Sequence, residues 1–247
     1  MSKDPISDAT ASILMPSLEV QGLKRLTNRI AAHIVDDILQ FVSIHLSRRG
    51  TRRFRLEYAS ICLFRPRDTL PLQPGGTIVR TIESGTFLQR LCRREPQRHG
   101  FDGTGPASAN ASMSEAVCLV NTQTLPFFAQ TRTTRLLYER LLKERWGSQH
   151  HLQFELGCCL ARLQRFAEAE EVLKRAVDLY ENDGRDWCIR EIERVNSLRT
   201  AIQQGRSDAR LIEWVRESVS GLGLGALLAA NPAPAALSAD QPVSGIG

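Results

Sequence analysis

Four residues in the second half of the chain carry side chains that hold metals or act as nucleophiles: His151, Glu155, Cys158 and Cys159. At spacings of three and four they fall on successive turns of one helix and can share a face. A tetrahedral metal site draws on more than one segment, and no second ligand pair stands at a matching spacing elsewhere in the chain. Nothing beside the cysteines marks an activated nucleophile. The simpler reading is a helix seam with buried cysteines and a histidine near the helix start. A second cluster is basic. Arg48, Arg49, Arg52 and Arg53 crowd one turn, with Arg55 next to them and Arg65 and Arg67 further along. That is the make-up of an anion-binding patch for the phosphates of nucleic acid. No aromatic residues alternate with the arginines as stacking platforms, so a solvated turn with Arg55 paired to Glu57 or another acid is the plainer reading. Gly221-Leu222-Gly223-Leu224-Gly225 follows a helix rather than a strand, the wrong setting for a phosphate loop. Asp36 and Asp37 sit side by side in a turn and define no catalytic pair. The sequence therefore assigns no catalytic residue, no metal ligand and no cofactor.

The elements that position these residues are clearest from His150 to Asp183. Leu156, Leu160, Leu163, Val172, Leu173 and Ala176 recur at helical spacing and give one apolar stripe to each of two helices. Gln164-Arg165-Phe166 is the short connection, and Gly157 and Ala169 lack the bulk that would keep the helices apart. With Leu156-Gly157 at positions seven and eight, Leu160 at eleven, Ala169 at twenty and Ala176 at twenty-seven, this 34-residue stretch resembles a tetratricopeptide repeat. It has Gln153 and Glu181 where that family often has Trp and Pro. The flanking windows, at Thr122-Gln123 and Arg190-Glu191, lack the Leu-Gly pair. A lone repeat must pack on something else, since a solenoid needs about three units. The resemblance implies a groove lined by His151, Phe154, Cys158, Ala161 and Arg162. Of these, His151, Phe154 and Arg162 are the candidate partner contacts. Packing of that face against the helix around Leu137 and Leu141 is the competing expectation.

Composition is that of an ordinary soluble protein, with 42% hydrophobic and 24% charged residues. No apolar run reaches the roughly 20 residues needed to span a bilayer. The start, Met1-Ser2-Lys3-Asp4-Pro5, lacks the layout of a signal peptide, so a cytoplasmic location without a membrane partner is expected. Six scattered cysteines read as reduced thiols. The net charge of +5 comes entirely from residues 1–100, which hold 16 Lys and Arg against 9 Asp and Glu.

Along the chain, residues 1–8 read as disordered and Ala9 to Gly22 as a helix containing Pro16. Arg29 to Val35 reads as a short strand turned at Asp36-Asp37. Asp37 to Leu46 and Phe54 to Phe64 alternate as an antiparallel pair. Thr77 to Ile82 reads as a further strand, and residues 93–113 as a mobile loop. Ser114 to Thr122 and Arg132 to Arg145 read as helices. So do the hairpin, Asp186 to Ile202 and Ser207 to Val219, before a disordered tail over 221–247. Strands grouped before helices predict an α+β fold: a sheet domain over 9–128 and a helical segment over 129–220 packed on it.

Gly22-Leu23-Lys24-Arg25, Leu39-Gln40-Phe41-Val42-Ser43-Ile44, Phe54 and Leu125-Pro126-Phe127-Phe128 are similar to the motifs of an uncharacterised bacterial domain family of unknown function. The family has Phe where this chain has Leu23, and the likeness covers under a third of the chain. It implies a bacterial cytosolic sheet domain and carries over no active residue. The expectation is a non-enzymatic protein acting through contact with another protein, in an immunity-like or accessory role. The alternatives are an enzyme or small-ligand binder using the cleft between sheet and helices, and a nucleic-acid accessory protein using the arginine turn.

Overall fold

The computed structural model describes residues 4–47, 52–66, 89–90, 100–143 and 149–228. It shows an α+β chain, with an antiparallel sheet followed by helices. Strands β1 (Lys24–Thr27), β2 (Ile30–Val35), β3 (Ile38–Leu46) and β4 (Arg53–Cys62) form a meander. Two short strands, β5 (Gln89–Arg90) and β6 (Phe101–Asp102), pair with β4 along its other edge. Asp36 and Asp37 close the β2–β3 hairpin, both at positive φ (50° and 57°). Such a two-residue turn matches the twist of the strands, and Asp is among the few residues that tolerate the conformation.

The register fixes the two faces of the sheet. His33 pairs with Gln40, Gln40 with Ser60, Val42 with Tyr58 and Ile38 with Cys62, so these side chains share one face. Leu39, Phe41, Ala59 and Ile61 share the other, and both faces are buried. A strand apolar on both sides is a central one, which agrees with the alternation in the sequence.

Two long helices are each broken by the same device. α1 (Pro5–Ala9) runs through a π turn, Thr10–Leu14, into α2 (Met15–Val20). α3 (Pro106–Leu119) runs through a π turn, Val120–Thr124, into α4 (Leu125–Ala129). In both, the residue just before a proline donates its N–H five residues back: Met15 to Thr10 ahead of Pro16, and Leu125 to Val120 ahead of Pro126. Proline has no N–H to give, and its ring collides with the carbonyl four residues back; the wider turn relieves that collision. The pieces pack against one another, and α4 lies on the sheet. Tyr58 meets Phe127 and Phe128 edge-on, and Gln40 donates from Nε2 to the Phe128 carbonyl at 2.8 Å.

The helical half begins with α5 (Thr134–Leu141) and continues as α6 (Gln149–Arg162), α7 (Phe166–Asp183), α8 (Asp186–Gln203) and α9 (Ser207–Leu222). The last four are joined by short turns and pack in ring order, with α9 returning to α6. A Cβ on Gly157 of α6 would lie 2.4 Å from a methyl of Leu173, so only glycine permits this α6–α7 approach. The boundaries expected for the hairpin, α8 and α9 hold to within a few residues.

Three expectations are corrected. Asp4 caps α1 and Ile6 is buried, so order begins within the stretch taken as a disordered start. Residues 106–113 are not loop but the first turns of α3, with Gly105 as cap and Pro106 in the first turn. The chain after Gly221 continues into α10 (Gly225–Leu228), and Leu224 and Leu227 are buried beside β2. The strand expected at 77–82, residues 93–99 of the expected loop and the tail after 228 lie outside the described residues.

Candidate functional site

The titratable side chains that the fold brings together lie where β4 meets the helical ring. β4 ends at Cys62, and the chain runs on for three buried residues, Leu63, Phe64 and Arg65. This short extension carries Arg65 into the space between α6, α7 and α8. The guanidinium is 2% exposed. Its Nη2 donates to His151 Nδ1 at 2.9 Å and lies 3.5 Å from Glu191 Oε2, while its Nη1 lies 3.9 Å from Glu155 Oε2. Its face rests on the Phe154 ring at 5.3 Å, a cation–π contact. Cys62 donates from Sγ to Glu155 Oε1 at 3.3 Å, and Arg194 Nη1 holds Glu191 Oε1 at 2.5 Å. Arg65, Glu155 and Glu191 are buried, and Arg194, partly exposed at the rim, completes the charge balance, the condition under which charges tolerate burial.

The protonation states follow from the contacts. Arg65 has only donors, so the His151 Nδ1 facing it must present a lone pair and the ring proton of the neutral imidazole sits on Nε2. Tyr180 Oη lies 2.7 Å from the same nitrogen and therefore donates as well. Burial works against the charge on Arg65, but Tyr180, Glu191, Glu155 and Cys62 around it outweigh burial and hold its pKa above the ordinary arginine value. Burial also pushes the Tyr180 phenol above its usual range, with Arg65 opposing. The Cys159 thiol is pushed well up by burial and by Cys62, Glu155 and Cys158, so it stays a thiol. His150, stacked between His151, Tyr180 and Trp187, has its pKa lowered, chiefly by burial, with Asp183 pulling the other way.

A second contact set lies beside this joint. Asp36 Oδ2 accepts from the Thr134 N–H at 2.7 Å and from the Thr134 hydroxyl at 3.1 Å, placing a carboxylate at the positive end of α5. Arg162 Nη2 meets Asp37 Oδ2 at 2.7 Å. The two aspartates of one hairpin turn thus tie the sheet to α5 and α6. Burial raises the Asp37 pKa and Arg162 counters it.

These positions answer the sequence expectations. Of the candidate partner contacts, His151 and Phe154 are buried and Arg162 is engaged by Asp37. The face they line is filled from within, by Arg65, by Trp214 of α9 edge-on to Phe154 at 6.1 Å, and by the Asp37 turn. The expected packing against the preceding helix is only part of this, since β4 and α9 supply the rest. Of the candidate anion-binding residues, Arg48 and Arg49 lie outside the described residues. Arg53 is exposed, and Arg52 donates to the Thr104 carbonyl at 3.2 Å. Arg55 pairs with Glu57 at 2.9 Å as expected. Glu57 also meets His45, at 3.1 Å, and Ser43 Oγ lies 2.9 Å from His45. Both contacts fall on His45 Nε2, whereas a catalytic relay uses opposite ring nitrogens. Among the described residues no group of three or more His, Cys, Asp or Glu is placed to hold a metal ion, and no helix is long and apolar enough to cross a membrane.

The sequence places Arg65 with the basic cluster, and nothing in it marks Glu191. Only the unusual apolar run through Leu63 and Phe64 hinted that the chain past β4 stays inside. No protein family, curated protein or solved structure matches this chain.

Proposed function

We propose that this is a non-enzymatic protein that works through contact with another protein, as an immunity-like or accessory factor of the bacterial cytosol. The observation that carries this reading is the filling of the inward face of α6 by the chain's own Arg65, Trp214 and Asp37. The polar groups that could have formed an active centre face one another in ion pairs and hydrogen bonds that tie the sheet to the helices. The outward sides of α7, α8 and α9 remain as the contact surface. They carry exposed charges of both signs, such as Glu171, Lys174, Arg175, Asp178 and Glu193, and the exposed Ile189 and Ile212. Isolated apolar anchors within a polar surround suit a protein partner. The test is a pull-down with the tagged full chain from its native lysate, with and without nuclease. A near-stoichiometric, nuclease-resistant protein partner, lost on Ile189→Asp or Ile212→Asp, supports the reading. Recovery of nucleic acid alone overturns it.

A further inference from the structure

We propose that His151 is a proton-sensitive latch: the neutral imidazole holds Arg65 inside the helical ring, and a proton on Nδ1 releases the extension of β4 from α6. This does not depend on the identity of any partner. Nδ1 accepts from Arg65 Nη2 at 2.9 Å and from Tyr180 Oη at 2.7 Å. Protonation turns that acceptor into a donor directed at the Arg65 cation, which can only donate, while the Tyr180 hydroxyl can turn to accept from it. The surroundings come from every element packed on the ring. The β4 extension brings Arg65, with Cys62 behind it; α6 itself brings Glu155 and His150; α7 brings Tyr180; α8 brings Glu191 with Arg194, and Trp187, whose ring is 5.1 Å from the imidazole. Glu155 and Glu191 favour a cation at this place and Arg65 opposes one. The hydrogen-bond geometry decides, because Nδ1 itself is the contact atom.

The linkage has a definite sign. The docked arrangement needs the unprotonated ring, so docking binds fewer protons than release. It is complete while the ring is neutral and is lost as falling pH puts a proton on Nδ1. Histidine is the side chain whose ordinary titration lies between about pH 5 and about pH 8.

The experiment is imidazole ¹⁵N NMR on the full chain, together with hydrogen exchange of residues 60–64 and 150–162 between about pH 7 and about pH 5. At the upper pH His151 should be neutral with its proton on Nε2. At the lower pH, protection of both segments, relative to β2 and β3, should fall about tenfold or more. His151→Gln, which still accepts a hydrogen bond but does not titrate, should abolish this fall, and His150→Gln should leave it in place. A His151 that is cationic or carries its proton on Nδ1 at neutral pH overturns the latch. So does an equal loss of protection in His151→Gln. Should that variant not fold, the wild-type ¹⁵N titration decides: a His151 Nδ1 that gains its proton with no loss of protection in residues 60–64 and 150–162 overturns the proposal.

Discussion

Two of the joints between the sheet and the helical half differ in depth. At the Asp36–Asp37 turn the contacts are short, 2.7 Å to both Thr134 and Arg162, and the Asp37–Arg162 pair is partly open to water, with side chains 28% and 27% exposed. At Arg65 the ion-pair distances are longer, 3.5 and 3.9 Å, yet the guanidinium is 2% exposed and Glu155 not at all. Length alone would rank the first joint higher. Burial reverses the ranking, since a half-exposed pair competes with water and salt, whereas a buried charge that loses its partner has no solvent to replace it.

The largest effect should therefore follow removal of Arg65. Arg65→Met leaves Glu155 buried without its cation and Glu191 with Arg194 alone, and should cost about 3–5 kcal/mol in urea unfolding. Adding Glu155→Gln and Glu191→Gln should restore part of that loss, because the uncompensated charge, rather than the missing contact, carries most of the cost. A smaller effect is expected at the helix seam behind the joint. Gly157→Ala drives a methyl into Leu173 and should cost about 1–3 kcal/mol, less in a Leu173→Val background. Asp36→Ala, which removes the carboxylate that accepts from the first-turn Thr134 N–H of α5 and leaves Thr133 as its cap, should cost about 1 kcal/mol. Arg162→Ala should cost under about 1 kcal/mol and should push the Asp37 carboxyl further up, read by NMR titration. A loss at Arg162 equal to that at Arg65 would erase the contrast between the two joints.

The smallest effect concerns His150. Its pKa is lowered in the fold, chiefly by burial, so the unfolded chain takes up a proton first on acidification. The stability it supports is full above the ordinary histidine value and declines as pH falls towards the folded value. The stability difference between wild type and His150→Gln should narrow over that interval, measured by urea unfolding at stepped pH.

What could be read in the sequence follows from the range of each signal. α8 and α9 were legible because their apolar periodicity is local, and the β2–β3 turn because two adjacent aspartates end one alternating run and begin another. The start of α3 was missed because Ala, Ser and Asn around 106–113 look like loop, although Gly105-Pro106 was itself a start signal. α10 was missed because its glycines outweighed Leu224 and Leu227. The joint at Arg65 had no local signature, since its partners sit on three helices and the first of them, His151, is 86 residues away. Read locally, Arg65 belonged with the basic residues of a solvated stretch. Only the assembled fold shows that Arg65, unlike Arg52, Arg53 and Arg55, enters the core.

The most direct test of the account is hydrogen exchange across α6, residues 149–162, in wild type and in Arg65→Met. If Arg65 makes the sheet and the ring one cooperative unit, α6 exchanges in wild type with the same free energy as β3, and Arg65→Met lowers the protection of both α6 and the end of β4. Separate opening of α6 and β3 in wild type, or unchanged protection in Arg65→Met, would contradict it.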